Sequence, residues 1–467
     1  MTDSEQRQAV SEHPPGASAA ARRVSRAVMR PLERFIHVQA ASGIVLVAAA
    51  AAGIVWANSP WRSSYVELLA TRFRLDAGPW TVTTSLQFLI GDVLMAIFFL
   101  VIGLELRREL HGGELGTPRR AALPLLAALG GMVVPAAIYL AIAGLRGEAA
   151  AGWGVAVSTD TAFALGVLAL LGTRVMPSLR VLLLAIAIID DVLAIVIIAI
   201  FYSAGIELRG LAVAAGGVAA ILVLQRFGVR LVTAYAAPAI VVWFGVWWAG
   251  VHPTIAGIIV GLLTPASTWY GVEGLEDAAR HHVEESERHA GRRSHGSRLR
   301  EFALTKLELQ RAHREAVSPV ERVETALHTW AAFVVMPLFA FANAGIDFRR
   351  VTTTSAPRLL VGVAAGLVVG KFLGIVLASA GVVKLGLAKL PNGVTWRGMA
   401  VIGAVAGVGF TMSLFITNLA FTSRELRDVA TVAVLGASVA SAVIALVLGR
   451  MLLVKGGRAV ADEEAAS

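Results

Sequence analysis

Cysteine is absent from the chain, and charged residues are scarce. Without cysteine there is no disulfide, no thiol nucleophile and no thiolate metal ligand, so the redox compartment is left undetermined. Asp, Glu, Lys and Arg make up only 16% of the residues, whereas soluble domains average about 25%. Hydrophobic residues make up 57%, and the mean hydropathy is +0.72. These proportions exclude a soluble globular protein.

Long apolar runs recur along the chain, close to the roughly 20 residues that a helix needs to cross a bilayer. We predict an all-α polytopic membrane protein, with about 12 transmembrane helices in a membrane domain over residues 37–454. The predicted spans are 37–57, 84–106, 120–144, 151–171, 181–204, 209–225, 231–249, 252–270, 328–346, 358–383, 398–420 and 429–454. The 46 glycines suit close approach of helices in lipid.

The net charge of +9 raises the alternative of nucleic-acid binding, but Lys and Arg form no single patch. They lie in alternate loops, which is the positive-inside pattern of membrane proteins. We therefore expect no nucleic-acid partner and expect both terminal tails, residues 1–36 and 455–467, to be cytoplasmic. The N-terminal tail has no apolar core, so no cleavable signal peptide is predicted. The basic loop residues include Arg107, Arg108, Arg119, Arg120, Arg174, Arg180, Arg226, Lys384, Lys389, Arg397 and Arg450.

Two polar stretches interrupt the apolar pattern. Residues 271–325 are charged throughout and hold half of the ten histidines. We interpret them as a solvated cytoplasmic loop, partly helical over 299–315. A regulatory role is the alternative, since histidine titrates near neutral pH. Residues 58–80, with Trp61, Tyr65 and Trp80, are long enough for a small extracytoplasmic element.

Three carboxylates lie deep inside predicted spans: Asp160 and the adjacent pair Asp190 and Asp191. An Asp at the centre of a membrane helix costs about 2.5–3.5 kcal/mol, so the pair costs about 5–7 kcal/mol. The fourteen Leu, Ile and Val residues of the run 181–200 return about 4–8 kcal/mol. Because the pair consumes most of the free energy of insertion, we expect it to have a function.

Spans three to five and ten to twelve form two triplets that would cross the membrane in opposite directions. The middle span of each is interrupted by glycine and small polar residues, at 152–161 and at 403–418. Paired interrupted spans mark the midplane site of many transporters, although tight helix packing is the simpler explanation of glycine alone. Asp160 would neutralise helix N-terminal ends there, and Lys371, inside an apolar span, would serve the C-terminal ends.

The acids suggest a site for a hard cation. Na⁺ and Li⁺ prefer oxygen ligands, which Asp160, Asp190, Asp191 and Thr159 supply. The same carboxylates hold protons, so the two ions would compete, and competition with alternating access is antiport. Adjacent helical residues point about 100° apart, so Asp190 and Asp191 cannot be equivalent. The alternative for each acid is a structural pair with a base, such as Asp190 with Lys371, which would either titrate or only stabilise.

These residues resemble the NhaA family of sodium/proton antiporters. The resemblance runs from Asn58 to about Arg450 and depends on several long motifs in order. They are LMAIFFLVIGLELRREL (94–110), STDTAFALGVLALL (158–171), AIIDDVLAI (187–195), HPTIAGIIVGLLTP (252–265), PLFAFANAG (337–345), GKFLGI (370–375) and GVGFTMSLFI (407–416).

The resemblance implies a role for each matching residue. Asp191 and Asp190 mark the Na⁺ and H⁺ site, Asp160 and Thr159 the crossing of two broken helices, and Lys371 the basic partner. It also implies electrogenic exchange of external H⁺ for cytoplasmic Na⁺ and Li⁺ in a bacterial inner membrane. A homodimer with an extracytoplasmic hairpin, supplied by residues 58–80, is expected as well.

A cytoplasmic cluster that responds to alkaline pH is a further implication of the resemblance. The matching residues are Glu105, Arg108, Glu109, Glu324 and His328. Two departures affect the expected pH dependence: Thr325 stands where some members carry His, and the preceding loop is longer than expected. For Glu105, an ion-paired helix end is the structural alternative.

Two other functions use intramembrane acids. A membrane aspartyl protease needs two aspartates, but its expected Gly-x-Gly-Asp signature is missing at Ile188–Asp190. A proton or cation channel is the closer rival, and it would move its ion only down that ion's gradient. We favour the antiporter, a transporter and not an enzyme, with no resident cofactor.

Overall fold

The computed structural model describes residues 41–77, 80–113, 116–203, 205–229, 231–266, 318–349 and 356–453. Both predicted tails and most of the predicted loop 271–325, including its helical stretch 299–315, lie outside these ranges. Within them the chain is helical except for turns, short extended connections and a two-stranded hairpin.

The N-terminal part of the described chain is a bent helix pair followed by the hairpin. Helices α1 (Ala41–Ala57) and α2 (Arg62–Ala70) meet at 116°. Strands β1 (Arg72–Ala77) and β2 (Trp80–Ser85) pair antiparallel. The hairpin therefore lies at the C-terminal end of the predicted stretch 58–80 and extends five residues beyond it.

Asn58, in the turn between α1 and α2, ties this region to the rest of the chain. Its side-chain amide donates to the carbonyl oxygens of Ile54 and Ile346, at 2.8 and 2.7 Å. Arg62 forms an ion pair with Asp347 at 2.7 Å. These contacts hold the bend against the segment that follows one of the long helices.

The remaining helices follow in chain order. They are α3 (Leu86–His111), α4 (Pro118–Ala143), a 3₁₀ helix (Glu148–Ala156), α5 (Thr161–Ala169), α6 (Pro177–Phe201), α7 (Leu208–Arg226), α8 (Ala236–Trp248), α9 (Thr254–Leu263), α10 (Pro319–Ala344), α11 (Pro357–Lys384), α12 (Trp396–Ala406), α13 (Phe410–Ala420) and α14 (Arg424–Leu452). Seven of them (α3, α4, α6, α7, α10, α11 and α14) are long and apolar enough to cross a bilayer. The predicted class, a polytopic helical membrane protein, is confirmed, whereas twelve crossings stay a prediction.

Some predicted boundaries differ from the observed ones. The predicted spans 231–249 and 252–270 correspond to the shorter helices α8 and α9, because a 3₁₀ turn precedes α8 and extended backbone follows Leu263. Helix α10 begins at Pro319, inside the stretch predicted as loop. Ser318 and Glu321 form a capping box there, which stabilises the helix start despite its polar composition.

Both predicted interruptions are confirmed as breaks between helices. The 3₁₀ helix and α5 meet at 42°, and α12 and α13 meet at 44°. Residues Phe410–Thr417 of α13 are all buried, and Phe415 lies among the rings of Phe99, His252 and Phe339. Because unpaired backbone is tolerated at membrane depth only inside protein or along a cavity, this burial allows the breaks to persist.

Helices α4 and α11 approach so closely that glycine is required at their contact. A Cβ atom at Gly374 would overlap the carbonyl oxygen of Gly130, and a Cβ at Gly130 would overlap that of Gly374. At Gly374 the obstructing atoms all belong to the backbone, so no side-chain rearrangement relieves the overlap; at Gly130 the Cβ of Ala378 also obstructs. This contact holds α11, and Lys371 with it, against α4.

We predict that Gly374→Ala lowers the melting temperature of the purified protein, since overpacking costs about 1–3 kcal/mol. Gly381→Ala on the same helix is the matched control, because nothing lies within 4 Å of its added Cβ. It should leave the melting temperature unchanged or raise it slightly. Equal melting temperatures for the two variants would contradict the close contact.

Candidate functional site

The two breaks contact each other directly. The backbone N–H of Asp160 donates to the carbonyl oxygen of Val408 at 2.7 Å. The hydroxyls of Ser158 and Ser413 lie 3.1 Å apart, and Ser413 also donates to the carbonyl oxygen of Val155 at 2.8 Å. The N–H of Asp160 and the hydroxyl of Ser413 thus satisfy two backbone carbonyl groups beside the interruptions.

Asp160 lies where the N-terminal ends of two helices meet. Its Oδ1 accepts from the backbone N–H of Phe163 at 2.9 Å, which caps α5. Its Oδ2 accepts from the backbone N–H and the hydroxyl of Thr411, at 3.1 and 2.5 Å, in the first turn of α13. Because helix N-termini carry partial positive charge, they stabilise this fully buried carboxylate. Asp160 contacts the helix N-terminal ends as expected, and its part in cation binding stays a prediction.

The C-terminal end of α12, at the same crossing, has a different partner from the predicted one. The hydroxyl of Thr159 donates to the carbonyl oxygen of Ala406, the last residue of α12, at 2.9 Å. Lys371, expected to serve such C-terminal ends, instead directs its Nζ to Asp190. A full carboxylate charge is a stronger partner for a buried ammonium than the half charge of a helix end.

Asp190 and Lys371 form a buried ion pair between α6 and α11. Nζ of Lys371 lies 2.8 and 2.7 Å from Oδ1 and Oδ2 of Asp190, and both side chains are no more than 2% exposed. Residues Gly366–Gly370 form a π-helical segment just before Lys371, which changes the direction in which the lysine projects. The ion pair that the sequence offered as the alternative for Asp190 is therefore present.

Asp191 has a different environment from its neighbour. The hydroxyl of Thr161 donates to its Oδ2 at 2.8 Å, and its Oδ1 has no hydrogen-bond partner among the described residues. The carboxyl group borders a narrow cavity of about 50 Å³, which Glu105 and His328 also line. This volume has room for a few water molecules or a small cation. The two adjacent acids are not equivalent, as predicted.

The residues expected to respond to pH come together at α3 and α10. Arg108 donates to Glu324 and also forms an ion pair with Glu109 at 3.3 Å. Glu105 and His328 line the cavity beside the buried aspartates. Two members of this cluster, Glu105 and His328, thus share one cavity with Asp191.

Thr161 and Thr411 contact the acids, but the sequence did not single them out as site residues. Each is a threonine in the first turn that follows a break, and each donates a hydroxyl to a buried carboxylate. The sequence feature that could have identified them is their position beside the interruptions. Threonine is too common in helix starts for that position alone to identify a partner.

Long apolar helices, two broken segments that cross, and buried carboxylates beside the crossing define a polytopic membrane transporter. The sequence matches the family model described as Na⁺/H⁺ antiporter 1 over residues 33–448. The chain belongs to this family, the NhaA family of sodium/proton antiporters.

Curated relatives match nearly the full chain. A protein of Sorangium cellulosum named Na(+)/H(+) antiporter NhaA 2 is 52% identical, over 97% of each chain. One of Myxococcus xanthus with the same name is 49% identical, over 95% of this chain and 94% of the relative. Na(+)/H(+) antiporter NhaA of a Janthinobacterium species is 46% identical, over 90% and 92%.

We predict that Lys371→Ala lowers the stability of the purified protein by about 3–5 kcal/mol, because Asp190 would stay buried without its partner. The measurement is the melting curve in detergent. Lys384→Ala, which removes an exposed lysine from the same helix, is the control and should leave the curve unchanged.

A second variant separates lost charge balance from lost packing. Lys371→Ala combined with Asp190→Asn should melt at a higher temperature than Lys371→Ala alone, because no unpaired charge is buried. If the double variant melts no higher than the single one, the ion pair does not account for the loss.

Proposed function

We propose that the chain expels cytoplasmic Na⁺, and Li⁺, in exchange for external H⁺, by competition of the ions for Asp191 and Asp190. The family membership supports an antiporter of Na⁺ and H⁺. The observation that carries the proposal is the difference between the two acids. Asp190 is paired with Lys371, whereas Asp191 lines a cavity and its buried Oδ1 has no hydrogen-bond partner among the described residues.

Proton and sodium binding exclude each other on this account. A proton on Asp191 removes the negative charge that attracts Na⁺. When the proton leaves, Oδ1 offers the first oxygen ligand to Na⁺ entering from the cavity. For Asp190 to bind the same ion, Lys371 must move away from the carboxylate, because Nζ lies within hydrogen-bond distance of both of its oxygens. The second proton of an electrogenic exchange leaves from this pair, with Lys371 either titrating or only stabilising.

Alternating access requires that the site face one side at a time. The crossing of the broken helices is suited to this, because a few contacts among Asp160, Thr411, Ser158 and Ser413 join its two halves. We propose that Thr159 and Asp160 adjust these contacts when the cation binds. The two halves would belong to inverted repeats of three spans within twelve crossings.

We infer the oligomeric state, the membrane and the pH dependence from the family resemblance. The protein would act as a homodimer in a bacterial inner membrane, with both termini in the cytoplasm. Exchange would be driven by the proton gradient, and Glu105, Arg108, Glu109, Glu324 and His328 would make it depend on pH. The cavity that links Glu105 and His328 to Asp191 supports this dependence.

We predict that Asp191→Asn abolishes Na⁺-dependent proton movement in everted vesicles, because an amide does not titrate at physiological pH. The measurement is recovery of a pH-gradient dye after Na⁺, Li⁺ and K⁺ are added in turn at several pH values. The protein should still fold, since Thr161 can donate to the amide oxygen.

Asp76→Asn on the exposed hairpin is the control and should keep full exchange. Full activity of Asp191→Asn would contradict the assignment of Asp191 to the Na⁺ and H⁺ site. Sodium flux that never drives protons against their gradient would favour the channel instead.

We predict that Asp160→Asn raises the Na⁺ concentration needed for half-maximal exchange, because it weakens the crossing near the cation site. The substitution replaces one accepting oxygen by an NH₂ group, which is a donor and would face the donors that Asp160 accepts from. Glu148→Gln is a matched control: Glu148 accepts from the backbone N–H groups of Thr422 and Ser423 at the start of α14. It should leave that concentration unchanged, and an unaltered value in both variants would argue against Asp160.

A further inference from the structure

A wide groove opens at one end of the helices that carry the ion site. It has a volume of about 780 Å³ and lies between the N-terminal ends of α4 and α6 and the loop after α11. The groove is separate from the carboxylates, because none of Asp160, Asp190 and Asp191 lines it. Its volume falls in the range of small-molecule sites, about 300–1,000 Å³.

The lining of the groove has two chemically distinct parts. Arg120 from α4 and Lys389 from the loop are exposed basic residues, with Ser178 and Asn392 as further polar groups. The rest is largely apolar and includes Leu182 of α6. Among the described residues, no carboxylate lines the groove to neutralise its two cations.

We propose that this groove binds an anionic phospholipid, with its phosphate between Arg120 and Lys389 and an acyl chain along the apolar part. Basic pockets between helix ends on the cytoplasmic side suit anionic headgroups. All three segments that form the groove lie in or next to loops that the positive-inside pattern predicts to be cytoplasmic. A neutral, zwitterionic headgroup would bring a third positive charge towards Arg120 and Lys389, so the anionic class fits better.

The bound lipid would bridge the three helices that carry or support the buried ion pair. Helix α6 carries Asp190, α11 carries Lys371, and α4 packs on α11 through Gly130 and Gly374. A ligand that binds the folded protein but not the unfolded chain stabilises the folded state, and the stabilisation grows with the ratio of ligand concentration to Kd. The site concerns lipid recognition and does not depend on the proposed antiport.

The test measures melting of delipidated, detergent-purified protein with phosphatidylglycerol, phosphatidylcholine or inorganic phosphate. Phosphatidylglycerol should raise the melting temperature of the wild type more than the other two. In the double variant Arg120→Gln and Lys389→Gln, that excess should fall to less than half. Native mass spectrometry of the same samples should show a Kd for phosphatidylglycerol weakened about tenfold or more.

The control is Arg209→Gln with Arg358→Gln, which removes the same charge from exposed positions outside the groove. It should keep the full effect of phosphatidylglycerol. An undiminished effect in the groove variant would overturn the proposal. So would an equal effect of phosphatidylcholine, which indicates acyl-chain binding alone, or of inorganic phosphate, which indicates a free-anion site.

Discussion

The buried ion pair between Asp190 and Lys371 is the interaction on which the site depends. A carboxylate and an ammonium excluded from water each carry a desolvation penalty of several kcal/mol, which their contact offsets only when the geometry is good. Here both oxygens of Asp190 lie within 2.8 Å of Nζ. Lys371 holds one acid of the pair, and the adjacent Asp191 is the one that lines the cavity and has an oxygen without a hydrogen-bond partner among the described residues.

The surrounding fold maintains this asymmetry. Helical geometry points the two adjacent aspartates in different directions. The π-helical segment before Lys371 and the glycine contact between α4 and α11 fix where the lysine projects. At the crossing, Asp160 accepts from two helix N-terminal ends and Thr159 donates to a C-terminal end. Polar groups of the protein, beside the buried carboxylates, therefore satisfy backbone groups at each break.

Much of this arrangement was predictable from the sequence, and the reasons differ by feature. The length of the apolar runs predicted the class, and acids inside those runs identified the carboxylates. Both signals are local in the sequence, because a span needs about 20 apolar residues and an acid inside it costs free energy of insertion. The breaks at 152–161 and 403–418 followed from glycine and small polar residues. The partner of Lys371 was left open. Its position along the chain was compatible with the partial negative charge of a helix C-terminal end and with the full charge of Asp190. The helix start at Pro319 and the roles of Thr161 and Thr411 depend on caps and contacts between distant segments, which hydropathy does not encode.

In the proposed exchange, sodium and protons bind the same oxygens. The most direct measurement is proton release from the purified, lipid-reconstituted protein when Na⁺ is added, followed with a pH indicator over a range of pH. The account predicts that binding of Na⁺ releases protons, and that the apparent Na⁺ affinity falls about tenfold per pH unit for each proton displaced as the solution becomes more acidic. Sodium binding with no proton release, at an affinity independent of pH, would contradict it.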